Sequence, residues 1–382
     1  MTFPASLAMI LVGLIFFLSG FVVNFIQAIV YVLLRPVSKS LYGRVNNTVA
    51  ELLWQQLVWL VDWWSNLKIQ VHADDQTYHL MGKENALVMC NHKSDIDWLV
   101  GWVLAQRSDC LGSALAVMKK ELKTLPIIGW SMWFSGYLFL ERSWAKDEGT
   151  LESGYKWLED FPLPFWLALF VEGTRFTNAK LEAAQIYAAS KGLPIPRNVL
   201  IPRTKGFVSA VSNIRSFVPA IYDCTLAVPK DQLSPTILSL FRRQPCVVYV
   251  HIKRHSINEL PETPDGIAQW CKDLFVTKDA ILENFYLNNT FSSEKVQQIG
   301  KPRKSLMVFF GWSSLVAYGM ARLVGWLAGR GSWEVLAFAL TLIAIVFVIM
   351  QMLIHSSQAE QSPFRPPTAA SPDGITVSLI QN

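Results

Sequence analysis

The residues best suited to chemistry stand where apolar runs stop. In Val88-Met89-Cys90-Asn91-His92-Lys93-Ser94-Asp95-Ile96-Asp97-Trp98, a buried-strand pattern ends at Asn-His and a helical pattern begins near Ser94. On one continuous helix His92 and Asp97 would sit about 140° apart, because each residue advances roughly 100°, and they could not touch. If His92 instead closes the strand while Ser94 caps a helix that carries Asp97 at its third position, the loop can fold the imidazole back onto the carboxylate. The carboxylate would then fix the tautomer and stabilise the imidazolium, leaving the other ring nitrogen as a general base. Taken alone, the pair also fits a turn histidine beside a capping aspartate.

A second string, Phe170-Val171-Glu172-Gly173-Thr174-Arg175, ends another apolar run. Open α/β sheets place ligand sites at such strand ends. Glu172 and Arg175 are expected to face the crevice, Arg175 offering a planar fork to phosphate or carboxylate and Gly173 letting the backbone approach closely. In Gly136-Tyr137-Leu138-Phe139-Leu140-Glu141-Arg142 a further arginine follows a strand. Each string alone could be a surface turn with an ion pair. Three polar strand ends together are harder to dismiss.

The elements that must hold these strings alternate along the chain. Apolar runs at 86–90, 137–140 and 165–171 are followed by amphipathic stretches at 95–106, 146–160 and 179–190, with a further run at 114–118. Strands are also expected at 199–201, 220–226 and 247–252, and a helix at 266–285. This pattern predicts an α/β domain over residues 65–300, a mixed sheet flanked by helices.

Of the 382 residues, 52% are hydrophobic and only 16% charged, against about a quarter charged in ordinary soluble domains. Part of the chain therefore belongs in lipid. Lys plus Arg (34) exceeds Asp plus Glu (29) by five, with no polybasic block. That suits an anionic membrane surface or a phosphorylated substrate and gives no support to nucleic acid as a partner. The five cysteines are odd in number and form no CxxC pair, so no disulfide framework is expected and a reducing, cytosol-facing domain fits. His251 and His255 share a strand face without a third ligand nearby, so no metal is expected. A Gly-x-Ser-x-Gly elbow and a Gly-rich phosphate loop are both missing, which argues against a serine acyl-enzyme and a nucleotide hydrolase.

Residues Phe3–Leu34 carry no charge and are long enough to cross about 30 Å of hydrocarbon. The first positive charge, Arg35, follows the apolar run, unlike in a cleaved signal peptide. Length alone leaves open a single span or a fold back near Gly13 or Gly20. The tryptophan-rich stretch 49–64 reads as an interfacial helix, or alternatively as a core helix, completing an N-terminal anchor over 1–64. Apolar runs at 306–328 and 334–354, separated by Gly329-Arg330-Gly331-Ser332, read as a transmembrane hairpin within 301–355. Lys301, Arg303 and Lys304 before it, with Arg35, Lys39 and Arg44 after the first anchor, put the middle of the chain in the cytosol, although Arg322 and Arg330 count the other way. The polar tail 356–382 is expected to be disordered. Asn46-Asn47-Thr48 and Asn288-Asn289-Thr290 are formal glycosylation sequons that would report topology.

Together these strings resemble the glycerolipid acyltransferase family, in particular the plant-type lysophosphatidic acid acyltransferases of the endoplasmic reticulum, over most of the chain. By that resemblance His92 is the base and Asp97 its partner, and Gly136-x-x-Phe139-Leu140-x-Arg142 is the block associated with glycerophosphate. Glu172-Gly173-Thr174-Arg175 is similar to the third block and Val218-Pro219 to the fourth. The run Pro202-Arg203-Thr204-Lys205-Gly206-Phe207 is shared with the longer eukaryotic members. Lys120-Glu121-Leu122, Pro126 and Gly129-Trp130 resemble a segment that helps line the acyl passage. Two departures are Val171 where proline is frequent and Ala220 where a β-branched residue is common; neither removes a reacting group. The resemblance implies a glycerolphosphate acyltransferase-like fold in the endoplasmic reticulum membrane, crossing it more than once with its catalytic domain toward the cytosol. It implies acyl transfer from acyl-CoA to the sn-2 hydroxyl of 1-acyl-sn-glycerol-3-phosphate (lysophosphatidic acid), giving phosphatidic acid and CoA. Acyl-CoA is then a co-substrate and no cofactor is needed. An acyltransferase for another acceptor, such as glycerol-3-phosphate, and a non-catalytic lipid-binding protein are the alternatives.

Overall fold

The computed structural model describes residues 3–141, 143–291 and 295–328, with isolated positions between 334 and 348. Arg142, most of the expected second arm of the C-terminal hairpin and the tail after 356 lie outside the described residues. Among the described residues, eight strands form one sheet: β1 (Leu67–His72), β2 (Ala86–Cys90), β3 (Ala114–Lys119), β4 (Leu138–Leu140), β5 (Trp166–Leu169), β6 (Ala220–Ala227), β7 (Cys246–Ser256) and β8 (Val296–Gln297). Their order is β4-β3-β5-β2-β6-β7-β1-β8. Only β6 with β7 and β1 with β8 are antiparallel. The expected mixed sheet is what the chain forms.

The helices are α1 (Phe3–Leu34), α2 (Lys39–Trp59), α3 (Asp75–Leu80), α4 (Asp97–Arg107), α5 (Ile128–Ser135), α6 (Trp144–Glu159), α7 (Asn178–Lys191), α8 (Thr204–Ile214), α9 (Ile237–Phe241), α10 (Pro264–Asn288) and α11 (Lys304–Ala328). Central strands are apolar on both faces, as a sheet covered by helices requires; all eight residues of β6 are buried. In one helical group α8 packs against both α6 and α10, while in another α4 packs on α2.

The apolar run at 199–201 is not a strand. Carboxylates take its amides instead: Asp279 Oδ1 accepts from Val199 at 3.2 Å and Glu172 Oε2 from Leu200 at 3.2 Å. With the amides of Val199 and Leu200 taken by side chains, these two residues have no donors left for a sheet partner.

Helix α1 is unbroken, so the chain does not fold back at Gly13 or Gly20; its 32 residues extend about 48 Å at 1.5 Å per residue. One face carries polar groups tied to α2: Gln56 Nε2 donates to Ser19 Oγ at 2.9 Å, and Gln27 Nε2 to Asn46 Oδ1 at 3.1 Å. The other presents Phe21, Phe25, Val32 and Leu33 outward. The interfacial reading of 49–64 needs correction for Trp54 and Trp59. Both are buried, Trp54 completely, because α2 is wedged among α1, α4 and α11. Trp59 stacks on Phe309 with ring centroids 3.4 Å apart. Beyond that contact α11 exposes Phe310, Leu315, Tyr318 and Val324. Among the described residues, α1 and α11 are the two helices long and apolar enough to cross a membrane.

Asn46 is only 3% exposed, and its Nδ2 donates to Phe134 O at 3.1 Å. A glycan on Asn46 would have to be added before folding and would break this contact.

Candidate active site

The C-terminal end of β2 is pinned before the chain turns. Asn91 extends the ladder with its side chain, donating from Nδ2 to Leu226 O at 2.9 Å and accepting from Leu226 N at 2.8 Å. The next residue, His92, places Nδ1 2.9 Å from Asp97 Oδ2. Asp97 opens α4, with Ile96 at the cap, rather than occupying the third helical position. Its Oδ2 also accepts from the amides of Lys93 at 2.7 Å and Ser94 at 2.8 Å, and its Oδ1 from Ser94 Oγ at 2.6 Å. Ser94 therefore holds the carboxylate, and its Oγ also accepts from the amide of the cap residue Ile96 at 3.3 Å. The helix N-terminus adds its own attraction for the negative charge. A buried carboxylate held by three donors besides the ring is a rigid acceptor for Nδ1–H and leaves Nε2 with its lone pair. The His92 side chain is 24% exposed against 4% for Asp97, and its ring lies 4.6 Å from that of Phe170.

Glu172 is buried, at 2% exposure, so it does not face the crevice as the sequence suggested. Oε1 accepts from His92 N at 3.1 Å and Oε2 from Leu200 N at 3.2 Å. One carboxyl thus staples the loop after β2 to the segment before α8. Burial pushes its pKa up to about 8, against the pull of those two amides and of Lys278. The two following loops are tied directly as well: Phe176 N donates to His92 O at 2.7 Å, and Arg203 N to Val171 O at 2.7 Å.

Three cations from three segments gather on the Gly173–Arg175 turn. Arg175 is largely buried. Lys180 Nζ donates to Thr174 Oγ1 at 2.7 Å and to Arg175 O at 3.0 Å. The Arg203 side chain lies on Gly173, whose φ is +68°. Such a concentration of fixed positive groups beside a histidine suits an anionic substrate. The Cys90 thiol, two residues before His92 at the end of β2, is raised well above its ordinary value by burial and by Cys224. It is no thiolate nucleophile.

Other expected site residues are elsewhere. Pro219 is not brought to the site: Ala220 pairs with Ala86 and Cys224 with Cys90. Pro219 therefore stands at the edge where β2 begins, roughly 20 Å from His92 at about 3.3 Å per residue. Lys120 is exposed and paired with Glu141, which also binds Lys146 at 3.0 Å. Pro126 accepts from Ile128 N at 2.8 Å around Ile127, which adopts φ +70° and ψ −69°, the strained form of a γ-turn. Gly129 is packed so closely on Leu122 that a Cβ would come within 2.0 Å of its carbonyl oxygen. Trp130 meets Phe21 of α1, with centroids 6.4 Å apart. Pro126, Gly129 and Trp130 thus lie where the domain joins its first apolar helix.

Sequence reasoning missed Lys180 and gave Arg203 no role. The signal for Arg203 was the run 202–207 itself; for Lys180, its place one helical turn into α7 after Arg175, where it can fold back on the preceding loop.

Residues 68–228 match the family described as Acyltransferase, and residues 239–312 the one described as Acyltransferase C-terminus. The chain is 62% identical over 358 residues to 1-acyl-sn-glycerol-3-phosphate acyltransferase 2 of Brassica napus, covering 94% of this chain and 92% of that one. It is 61% identical to the protein of the same name from Arabidopsis thaliana, with the same coverage. It is 37% identical over 307 residues to 1-acyl-sn-glycerol-3-phosphate acyltransferase gamma of Homo sapiens, covering 80% and 81%. No solved structure matches.

Proposed function

This chain belongs to the acyltransferase family, and on that premise we propose that it transfers an acyl group from acyl-CoA to the sn-2 hydroxyl of lysophosphatidic acid, forming phosphatidic acid and CoA for phospholipid synthesis. The observation that carries this reading is the 2.9 Å contact between His92 Nδ1 and Asp97 Oδ2, beside a turn that gathers Arg175, Lys180 and Arg203.

His92 Nε2 takes the proton of the acceptor hydroxyl as its oxygen attacks the thioester carbonyl. The tetrahedral oxyanion collapses, the C–S bond breaks, and the imidazolium returns the proton to the leaving CoA sulfur. Asp97 holds the ring and balances its transient charge. Arg175 orients the acceptor phosphate, with Arg142 as a second candidate clamp. Neither cofactor nor covalent enzyme intermediate is needed; acyl-CoA is a co-substrate. Glu172 acts through the backbone. Gly173 and Thr174 shape the turn that presents Arg175.

A membrane is the natural place for this chemistry. Drawing an acyl chain of about 16 carbons into water costs roughly 13 kcal/mol at about 0.8 kcal/mol per methylene. Trp130 beside Phe21 sets the neighbouring Pro126–Trp130 segment against a lipid-facing helix, which favours it as the wall of an acyl passage. In this reading the catalytic domain faces the cytosol from the endoplasmic reticulum membrane, held by α1 and by a C-terminal hairpin that starts with α11.

The test is CoA release by the full chain in lipid nanodiscs, with acyl-CoA and a series of acceptors. Lysophosphatidic acid should be used well above glycerol-3-phosphate and lysophosphatidylcholine. Preference for another acceptor would replace the substrate assignment, and binding of lipid without CoA release would replace the reaction.

A further inference from the structure

The residue after His92 is held at both ends. The Lys93 amide donates to Asp97 Oδ2 at 2.7 Å, while its Nζ donates to Tyr286 Oη at 2.6 Å. The same ammonium lies 4.6 Å from the centre of the Tyr286 ring and 5.0 Å from that of Phe176. Tyr286 stands in the last turn of α10. Phe176 follows Arg175, and its own amide donates to the His92 carbonyl. One lysine therefore joins the loop of the candidate base, the loop of the candidate phosphate clamp and the end of a long helix packed on the sheet.

We propose that Lys93 is a positioning residue for acyl transfer, whose charged side chain, boxed between Phe176 and Tyr286, locks the His92 loop against the Arg175 loop and α10. The inference rests on the reaction proposed above and adds a residue to it. Attraction to the Phe176 ring requires an ammonium, because a neutral amine offers little to the ring quadrupole, while at Tyr286 the contact is the hydrogen bond at the hydroxyl edge of the ring. If the latch opens, the Lys93 amide tilts away from Asp97 and the spacing between base and clamp is no longer held, which changes turnover more than substrate binding.

The charge on Lys93 has a limited range. Burial lowers its pKa to about 8, and Lys230, which also approaches the Tyr286 ring, pushes the same way; Glu172, Asp279 and Asp97 oppose them. Above that pH the latch loses its cation.

The test is the pH dependence of kcat and KM for CoA release by the full chain in nanodiscs, with lysophosphatidic acid and acyl-CoA. Wild-type kcat should fall as pH rises through about 8, and Lys93→Arg should carry that limb upward by more than about one pH unit, since a guanidinium stays charged. A limb from Glu172, which also titrates near 8, would stay in place in Lys93→Arg, and that result overturns the proposal. At pH 7, Lys93→Met should cut kcat about tenfold with both KM values within about twofold. Tyr286→Phe keeps the ring and loses only the hydroxyl, so it should give a smaller loss even if Lys93→Met folds poorly. Wild-type kcat in Lys93→Met, or a raised KM alone, would contradict a positioning role. An inactive wild type with every acceptor would instead remove the proposed reaction, and this inference with it.

Discussion

Arg203 lies across Gly173. Its Cδ stands 2.8 Å from where a Cβ on Gly173 would be, and Gly173 keeps φ at +68°. An alanine there meets a strained backbone and a guanidinium stem at once. Gly173→Ala should cost about 1–3 kcal/mol of stability and lower kcat/KM by displacing a cation from the turn. Gly149, in α6, has a negative φ and open space where its Cβ would be, so Gly149→Ala should be neutral or gain up to about 1 kcal/mol. Thermal unfolding of both variants, with kinetics, checks the contrast; equal behaviour would contradict it.

Glu172 bonds two main-chain amides and no described side chain. In Glu172→Gln the new NH2 group must face one of those donors. The variant should lose about 1–3 kcal/mol of stability and much of its kcat, with the acceptor KM little changed. A raised acceptor KM at unchanged Tm would instead make Glu172 a substrate contact.

Much of this site was legible before the fold was known. His92 and Asp97 had to meet through a loop because one helix would have turned them apart, and the strand-end position of both strings followed from short apolar runs with polar ends. What could not be read depended on partners far along the chain. β1 pairs with β7, more than a hundred residues later, and its short run offers little contrast with neighbouring loops. Residues 199–201 look like a strand because their apolarity is real, yet Asp279 and Glu172 take the amides a sheet would use. Trp54 and Trp59 look interfacial by type and are core by packing. Pro219 sits in a recognisable block, but only the parallel register of β2 and β6 reveals that it occupies the opposite edge from His92.

Stability should rise with pH on the acid side through His251. This side chain is buried on β7 beside His72 of β1, and burial lowers its pKa from 6.5 to about 4. Between those values the unfolded chain binds a proton that the folded chain does not, so stability climbs as pH increases, by at most about 1.4 kcal/mol per unit. His251→Leu should flatten the rise of Tm over that window. An unchanged slope would show that another group controls it.

Topology is read most simply at Asn288, which is exposed at the end of α10, whereas Asn46 is buried in the folded protein. If the domain faces the cytosol, Asn288 should carry no glycan in microsomes, and endoglycosidase treatment should leave the mobility of the chain unchanged. A shift abolished by Asn288→Gln would place the domain in the lumen.

The most direct measurement compares CoA release by His92→Ala and wild type, at matched amounts of protein inserted in nanodiscs and with lysophosphatidic acid as acceptor. General-base catalysis of this kind is typically worth about 10² to 10⁴ in rate. A loss of that size, with insertion and Tm retained, is expected if His92 Nε2 removes the acceptor proton; turnover close to wild type would contradict the account.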